Sequence, residues 1–194
     1  MKCGWFGRVG LVSVLCVAMA TTGCTAAWIS VALADLPVLT QMSLNIATLV
    51  ETLQSGQQIS PGDVVAIQNI SNEASKDLTL LQTLYEQYRA NPNAATVERI
   101  QEVIADINTN LPMLLGEVHV KDPVLAARIA AGVNLILTTT QSFAALIPQL
   151  GGVRARRVVA LPRAADLKRQ WNAQVCSSTG QAVIDAELAG CEVR

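Results

Sequence analysis

The stretch SPGDVVAIQNISNEASKDLTLLQTLYEQYRANPN, residues 60–93, decides the fold. It begins with Ser60 and Pro61, a pair typical of a helix N-terminus, because serine caps the first turn and proline fits the first helical position. It ends at residues 91–93, Asn-Pro-Asn, which disfavour a continuing helix. Between these ends, one set of positions recurs at alternating spacings of four and three, which is the heptad rhythm of nearly antiparallel helices. This set, which we call the seam, consists of Ile67, Ser71, Ala74, Leu78, Leu81, Tyr85 and Tyr88.

The residues on both sides of this stretch predict three further long helices. One precedes it over residues 36–54, with helical spacing from Leu39 to Leu53. One follows it, and Pro112 is expected to kink or end that helix. A fourth begins at Asp122-Pro123 and runs to about Leu146. The seam of the third helix consists of Val97, Ile100, Ile104, Ile107, Leu111 and Leu114.

Short loops between four helices make an up-down-up-down bundle the economical topology, so the predicted fold class is all-α. A fifth, short amphipathic helix is expected at about residues 162–175, with Leu167 and Trp171 on one face and basic residues around them. No stretch of the sequence shows the period-two pattern of a strand.

Composition and charge distribution limit the class of protein. Hydrophobic residues make up 51% of the 194 residues and charged residues only 15%, which is too apolar for a disordered tail. Eleven acidic and four basic residues lie between Asp35 and Asp122, whereas six basic residues and one acidic residue lie between Arg154 and Arg169. The C-terminal part is therefore where a contact with an anionic partner is expected.

The N-terminus has the three parts of a secretory signal. Lys2 and Arg8 precede an apolar run over residues 9–20, and small residues follow it. This order of a basic start, an apolar centre and a small-residue end predicts export from a bacterial cytoplasm.

Residues 20–24 read Ala-Thr-Thr-Gly-Cys, and this segment resembles a bacterial lipoprotein leader. In that family a small residue precedes a cysteine that becomes lipidated at the new N-terminus, which here would be Cys24. Thr21 occupies the position at which the family usually has Leu. The resemblance also implies an outer-membrane anchor, since Thr25 follows the cysteine in place of the Asp that retains such proteins at the inner membrane. Cleavage of the leader at another position is the alternative.

One pair of cysteines remains when those in the predicted leader are set aside. Cys3 and Cys16 would be discarded with the leader, and Cys24 would be consumed by lipid. Cys176 and Cys191 remain, and an oxidising periplasm favours a disulfide between them over two free thiols.

The fourth helix permits a second interpretation. Residues 129–149 carry no charge and are long enough to span a bilayer. Together with the leader they would place the basic N-terminus and Arg154 inside and the acidic middle outside, in agreement with the positive-inside rule. Asn134 and the polar residues 138–142 would be costly against lipid but ordinary on the flank of a bundle helix. We therefore expect a buried helix, and the alternative is a two-span protein of the inner membrane, of the pore or accessory type.

The basic C-terminal segment predicts a surface for anionic lipid headgroups or an acidic protein partner. A solvated face, or a contact with the acidic bundle itself, is the other interpretation. Nucleic acid is not expected, because no aromatic platform is interleaved with the charges and an exported protein rarely meets it. The candidate contact residues are Arg154, Arg156, Arg157, Arg163, Lys168, Arg169 and Trp171.

No catalytic, cofactor or metal motif is recognisable. The single histidine, His119, lies in a predicted loop, and both a hydrolytic triad and the Glu-x-x-His motif of di-metal bundles need a histidine elsewhere. Glu98, Glu102 and Asp106 share one face of the third helix, and such a row is more typical of a solvated face than of a cation site. We therefore expect a protein that is not an enzyme and has no cofactor.

The predicted organisation is a leader over residues 1–24, a helical bundle over residues 25–150 and a basic segment with a disulfide loop over residues 151–194. The expected function is that of a non-enzymatic protein of the bacterial cell envelope. It would face the periplasm, be anchored through its N-terminal lipid, and have a binding or structural role. The sequence does not fix its oligomeric state.

Overall fold

The computed structural model describes residues 28–51, 59–117, 119–147 and 161–194. The predicted leader with Cys24, and Arg154, Arg156 and Arg157 of the basic segment, lie outside these residues. Within the described part the protein is all-helical, with four long helices and no strand. The helices are α1 (Trp28–Glu51), α2 (Pro61–Ala90), α3 (Ala94–Glu117), α4 (Pro123–Leu146), α5 (Ala164–Gln174) and α6 (Ala182–Glu187).

The predicted caps define where α2 and α4 begin. The Ser60 hydroxyl accepts a hydrogen bond of 3.2 Å from the Asp63 backbone N–H, and Pro61 is the first residue of α2. The Asp122 carboxylate accepts bonds of 2.8 and 3.0 Å from the N–H groups of Val124 and Leu125 at the start of α4. These bonds satisfy N–H groups that have no partner within the helix, so both predicted starts are confirmed.

Two prolines lie inside helices, and in both cases the helix is longer than predicted. α1 begins at Trp28 instead of residue 36 and continues through Pro37. α3 passes Pro112 and ends at Glu117, so of the two expectations for Pro112, a kink or the end of the helix, the second is wrong. Both prolines are exposed, so the carbonyl that loses its N–H partner is on the side where water can replace it. The turns before and after each proline stay helical because the face of the helix opposite the proline is buried.

The core consists of the faces that the spacing predicted for α2 and α3. Every seam position named for α3 is buried, and the same holds for α2 except at Tyr88, which is half-buried. In α1 the buried seam extends upstream through Ile29 and Ala32, which accounts for the earlier start. The ring of Tyr85 contacts Trp28 of α1 and Phe143 of α4 edge to face, with ring centroids 5.6 and 6.3 Å apart.

α5 packs against the first half of α4 through one small residue. Gly132 of α4 is buried, and a Cβ atom built there would lie 2.8 Å from Cζ3 of Trp171, so only glycine admits the indole at this distance. The guanidinium of Arg128, one turn earlier, donates to the backbone carbonyls of Val175 (2.8 Å) and Ser177. These carbonyls follow α5 and have no helical partner, so Arg128 joins the end of α5 to α4.

Candidate functional site

A disulfide joins Cys176, just after α5, to Cys191, just after α6. The two Cα atoms are 5.8 Å apart, a separation typical of bridged cysteines. The predicted pairing is therefore confirmed in the structure. The bridge closes a loop that contains α6 and brings residues 191–194, which we call the tail, back onto α5.

Side chains from two helices hold the backbone of the tail. The Cys191 carbonyl accepts hydrogen bonds of 2.8 Å from both the Asn45 carboxamide of α1 and the Trp171 indole N–H of α5. The tail therefore lies where α1 and α5 meet, and we call this place the α1–α5 groove. The shared acceptor also satisfies the indole N–H of Trp171, which is fully buried.

A second pair of bonds fixes the next part of the tail. The Asn172 carboxamide accepts from the Val193 N–H at 3.0 Å and donates to the Val193 carbonyl at 3.4 Å. The Lys168 ammonium donates to the backbone carbonyl of Arg194. Cys191 and Val193 are buried, whereas the residues after each are exposed, as in an extended strand. The side chains of Asn45, Lys168, Trp171 and Asn172 thus bond to backbone groups of the tail, and such groups do not depend on which amino acids the tail contains.

The disulfide loop is stabilised internally by Asp185 of α6. Its carboxylate accepts hydrogen bonds from the hydroxyls of Ser178 and Thr179 and from the backbone N–H groups of Thr179 and Gly180. Bonds to the charged form, that from the Ser178 hydroxyl foremost, lower the pKa of Asp185 to about 2. This carboxylate is already occupied by its own loop, so its role is structural.

Asp35 is the unusual group at the interface between α1 and α5, and sequence reasoning did not identify it. Its side chain is fully buried, and neither carboxyl oxygen has a hydrogen-bond partner among the described residues. Burial, and to a smaller extent the nearby carboxylate of Asp166 on α5, raise the pKa of Asp35 from 3.8 to about 7. An available signal was its position: Asp35 falls between the seam residues Ala32 and Leu39 of a helix whose one other charged residue is Glu51 at its end.

The described basic residues of the C-terminal segment are only partly available for a contact. Arg163 is exposed, and Arg169 is exposed but pairs with Asp166 one turn earlier. Lys168 is half-buried and is engaged with the tail. Trp171 is a fully buried core residue, so its assignment to the contact surface was wrong. The amphipathic pattern was correct, but the apolar face of α5 is covered by this protein itself.

The acidic residues of α2 and α3 lie close enough to interact. Burial raises the pKa of Asp77, as do the nearby carboxylates of Glu73 and Asp106, while Lys76 opposes them. Glu98, Glu102 and Asp106 are exposed, as expected for a solvated face. In the described ranges no three potential metal ligands are placed to hold an ion. His119 lies with its Nδ1 atom 3.8 Å from a carboxylate oxygen of Asp63, at the start of α2.

Two of the helices, α1 and α4, are long and apolar enough to cross a membrane by length and composition. About half of the relevant window in each is buried inside the fold, and the core helix of a soluble protein passes the same test of length and composition. Comparisons with protein families, with curated proteins and with solved structures found no significant match to this chain.

Proposed function

We propose that this protein is a non-enzymatic component of the bacterial cell envelope, a helical bundle anchored by a lipid on Cys24 that has a binding or structural role on the periplasmic side. The observation that carries the proposal is the Cys176–Cys191 disulfide. Disulfides persist in oxidising compartments and are rare in the cytosol. This one uses the two cysteines that remain once the leader-like segment is set aside.

We further propose that α1 to α4 form the up-down-up-down bundle. Contacts at the two ends support it. Trp28 at the start of α1 meets Tyr85 near the end of α2, and Tyr85 meets Phe143 near the end of α4. At the other end, Asp63 at the start of α2 approaches His119 in the connection between α3 and α4. Each pairing is one that alternating helix directions would produce.

The length of the tether would set how such a bundle faces its membrane. Trp28 follows Cys24 by four residues, and a fully extended chain covers at most about 14 Å in that distance. A lipid on Cys24 would hold the end with Trp28 and the turn at residues 91–93 next to the bilayer. The opposite end, with His119, would point into the periplasm and be the end open to a partner.

Metabolic labelling tests the anchor directly. The full chain and its Cys24→Ala variant would be expressed in a Gram-negative bacterium supplied with an alkyne fatty acid. We expect label, and cleavage before residue 24, in the parent chain only, because the thiol that carries the lipid is absent from the variant. Mass spectrometry of the membrane fraction, with free thiols blocked before reduction, would then report the state of Cys176 and Cys191.

The two-span protein of the inner membrane is the rival, and the length and apolar character of α1 and α4 favour it. It predicts an uncleaved chain that resists carbonate extraction, with Cys176 and Cys191 reduced because they would face the cytoplasm. That result would contradict the lipoprotein proposal. A cleaved, fatty-acid-labelled chain with an oxidised pair would contradict the rival.

A further inference from the structure

The tail is bound in the manner of a peptide ligand. Its contacts with α1 and α5 are made by Asn45, Lys168, Trp171 and Asn172, all of which bond to backbone atoms of residues 191–194. Carbonyl and N–H groups occur in every residue, so these four side chains recognise an extended backbone. Specificity comes from the two alternate side chains that turn inward, Cys191 and Val193. The same division of roles is found where a protein receives an extended peptide from another chain.

Besides the disulfide, the tail is joined to the rest of the protein at a turn that permits a change of direction. Gly190, immediately before it, has a φ angle of +98°, a conformation that other residues rarely adopt. α6, which precedes this turn, is only six residues long. An exchange of tails between two copies needs a short element, a glycine turn and an extended segment that is held by side chains. In that arrangement the turn is the part of the backbone whose conformation has to change.

We propose that the α1–α5 groove is an interaction surface for a second copy of this chain, whose tail enters the groove in place of the protein's own. Every hydrogen bond of the closed form is remade between the copies, since both the groove and the tail are identical. The exchange therefore costs the change at the turn and the loss of free motion of one copy. Confinement of the protein to a surface reduces the second cost, because it raises the effective concentration of tails around each groove.

The covalent part of the exchange is balanced. Two disulfides within chains become two disulfides between chains, from Cys191 of one copy to Cys176 of the other, so no net electrons are transferred. The thiolate of a small thiol opens the first bond by forming a mixed disulfide, and it is released when the last bond closes. Since the thiol is regenerated, catalytic amounts are sufficient.

Two complementary variants test the proposal with the full chain. In both, Cys3, Cys16 and Cys24 are changed to Ala, which leaves only the pair of interest. One copy then carries Cys176→Ser and can only donate its tail, and the other carries Cys191→Ser and can only offer its groove. They are mixed with oxidised glutathione, which takes up two electrons and two protons as it becomes two glutathione thiols. We expect a disulfide-linked heterodimer on a non-reducing gel.

Asn172→Ala distinguishes entry into the groove from accidental pairing of thiols. Placed in the copy that offers its groove, it weakens the departing tail and the entering tail alike, because both make the same two bonds, and should leave the initial rate of heterodimer formation nearly unchanged. Placed in the copy that donates its tail, it removes the two bonds that keep that tail in its own groove and should raise the rate by about thirtyfold, since two bonds at roughly 1 kcal/mol each amount to about 2 kcal/mol and about 1.4 kcal/mol is tenfold. Accidental pairing of thiols would be faster with the substitution in either copy. Asn45→Ala repeats the comparison from α1, and circular dichroism verifies that every variant is folded.

The rates of heterodimer formation decide whether the tail of one copy enters the groove of the other. A rate that rises only when the copy that donates its tail carries the substitution supports the exchange. No heterodimer at all, or an equal rate whichever copy carries the substitution, overturns it. The result does not depend on whether Cys24 is lipidated, because that residue is absent from both variants.

Discussion

Asp35 places a carboxyl group without a partner in the interior of a helical protein. An ionised carboxylate at such a site is costly, because nothing replaces the water that it loses on burial. The folded protein therefore holds a proton on Asp35 up to a pH of about 7, whereas the unfolded chain releases it near 3.8. Between these values the folded state binds more protons, so the free energy of unfolding decreases as the pH rises from about 4 to about 7.

Asp35→Asn should remove this pH dependence, because the carboxamide has a similar shape and does not ionise. At pH 8 we expect the variant to be more stable than the parent by up to about 4 kcal/mol, the free energy that corresponds to raising the pKa of the carboxyl from 3.8 to about 7. At pH 4 the parent is already protonated when folded, so the two proteins should differ little. Urea unfolding at both values measures the difference. A variant that is equally destabilised at both pH values would show that Asp35 makes a contact through its charge.

At the scale of the element, the position of α5 depends on a glycine in its neighbour. Gly132→Ala would place a Cβ atom 2.8 Å from the indole of Trp171, a rigid ring that is itself fully buried. One of the two helices must then move, and overpacking of this kind costs about 1 to 3 kcal/mol. We expect that loss in chemical unfolding, together with a changed tryptophan fluorescence spectrum.

Gly116→Ala is the matched control. Gly116 also lies in a helix, α3, but a Cβ atom there would meet nothing within 4 Å. The substitution should therefore be neutral or stabilise by up to about 1 kcal/mol, as the helix propensity of alanine predicts. If both variants change stability by the same amount and in the same direction, the close approach of α4 and Trp171 is not a constraint.

The elements that the sequence predicted well are those with two independent local signals. α2 and α4 have both a cap and a proline at the start, and α2 and α3 have an uninterrupted seam. α1 was placed eight residues too late because its first turns continue an uncharged stretch that begins in the leader-like segment, so no boundary is visible there. α6, with six residues, is too short to show a period at all.

The candidate site was predicted only where covalent chemistry restricts the choice. Cys176 and Cys191 were identified by counting, since each other cysteine had a different expected fate. The residues that hold the tail could not be identified in this way. Asn45 and Asn172 are 127 positions apart and become neighbours only through the fold. Trp171 was misassigned because a pattern shows which face of a helix is apolar, and not what covers that face.

At the scale of the whole molecule, the disulfide adds a covalent link, besides the backbone, between the C-terminal helices and the tail. It closes a loop of 15 residues, and in the chain-entropy treatment a loop of this size stabilises the folded state by about 3 kcal/mol. Changing both Cys176 and Cys191 to Ser should lower the free energy of unfolding by about this amount.

Urea unfolding with and without a reductant measures this loss, and the double variant provides the control because a reductant should not affect it further. A parent chain whose stability is indifferent to reductant would indicate that the hydrogen bonds of the tail are sufficient without the bridge. A first transition confined to tryptophan fluorescence would instead show that α5 and the tail open separately from the bundle.

The tail and the residue that receives it on α1 are synthesised far apart in time. More than 110 residues separate the end of α1 from the start of α5, and at about 5 to 20 residues per second this is roughly 6 to 23 seconds of translation. Throughout that interval α1 lacks the cover that α5 and the tail will give it. A nascent chain of this protein therefore exposes that face of α1 for the whole of the interval, and the arrival of α5 and the tail ends the exposure.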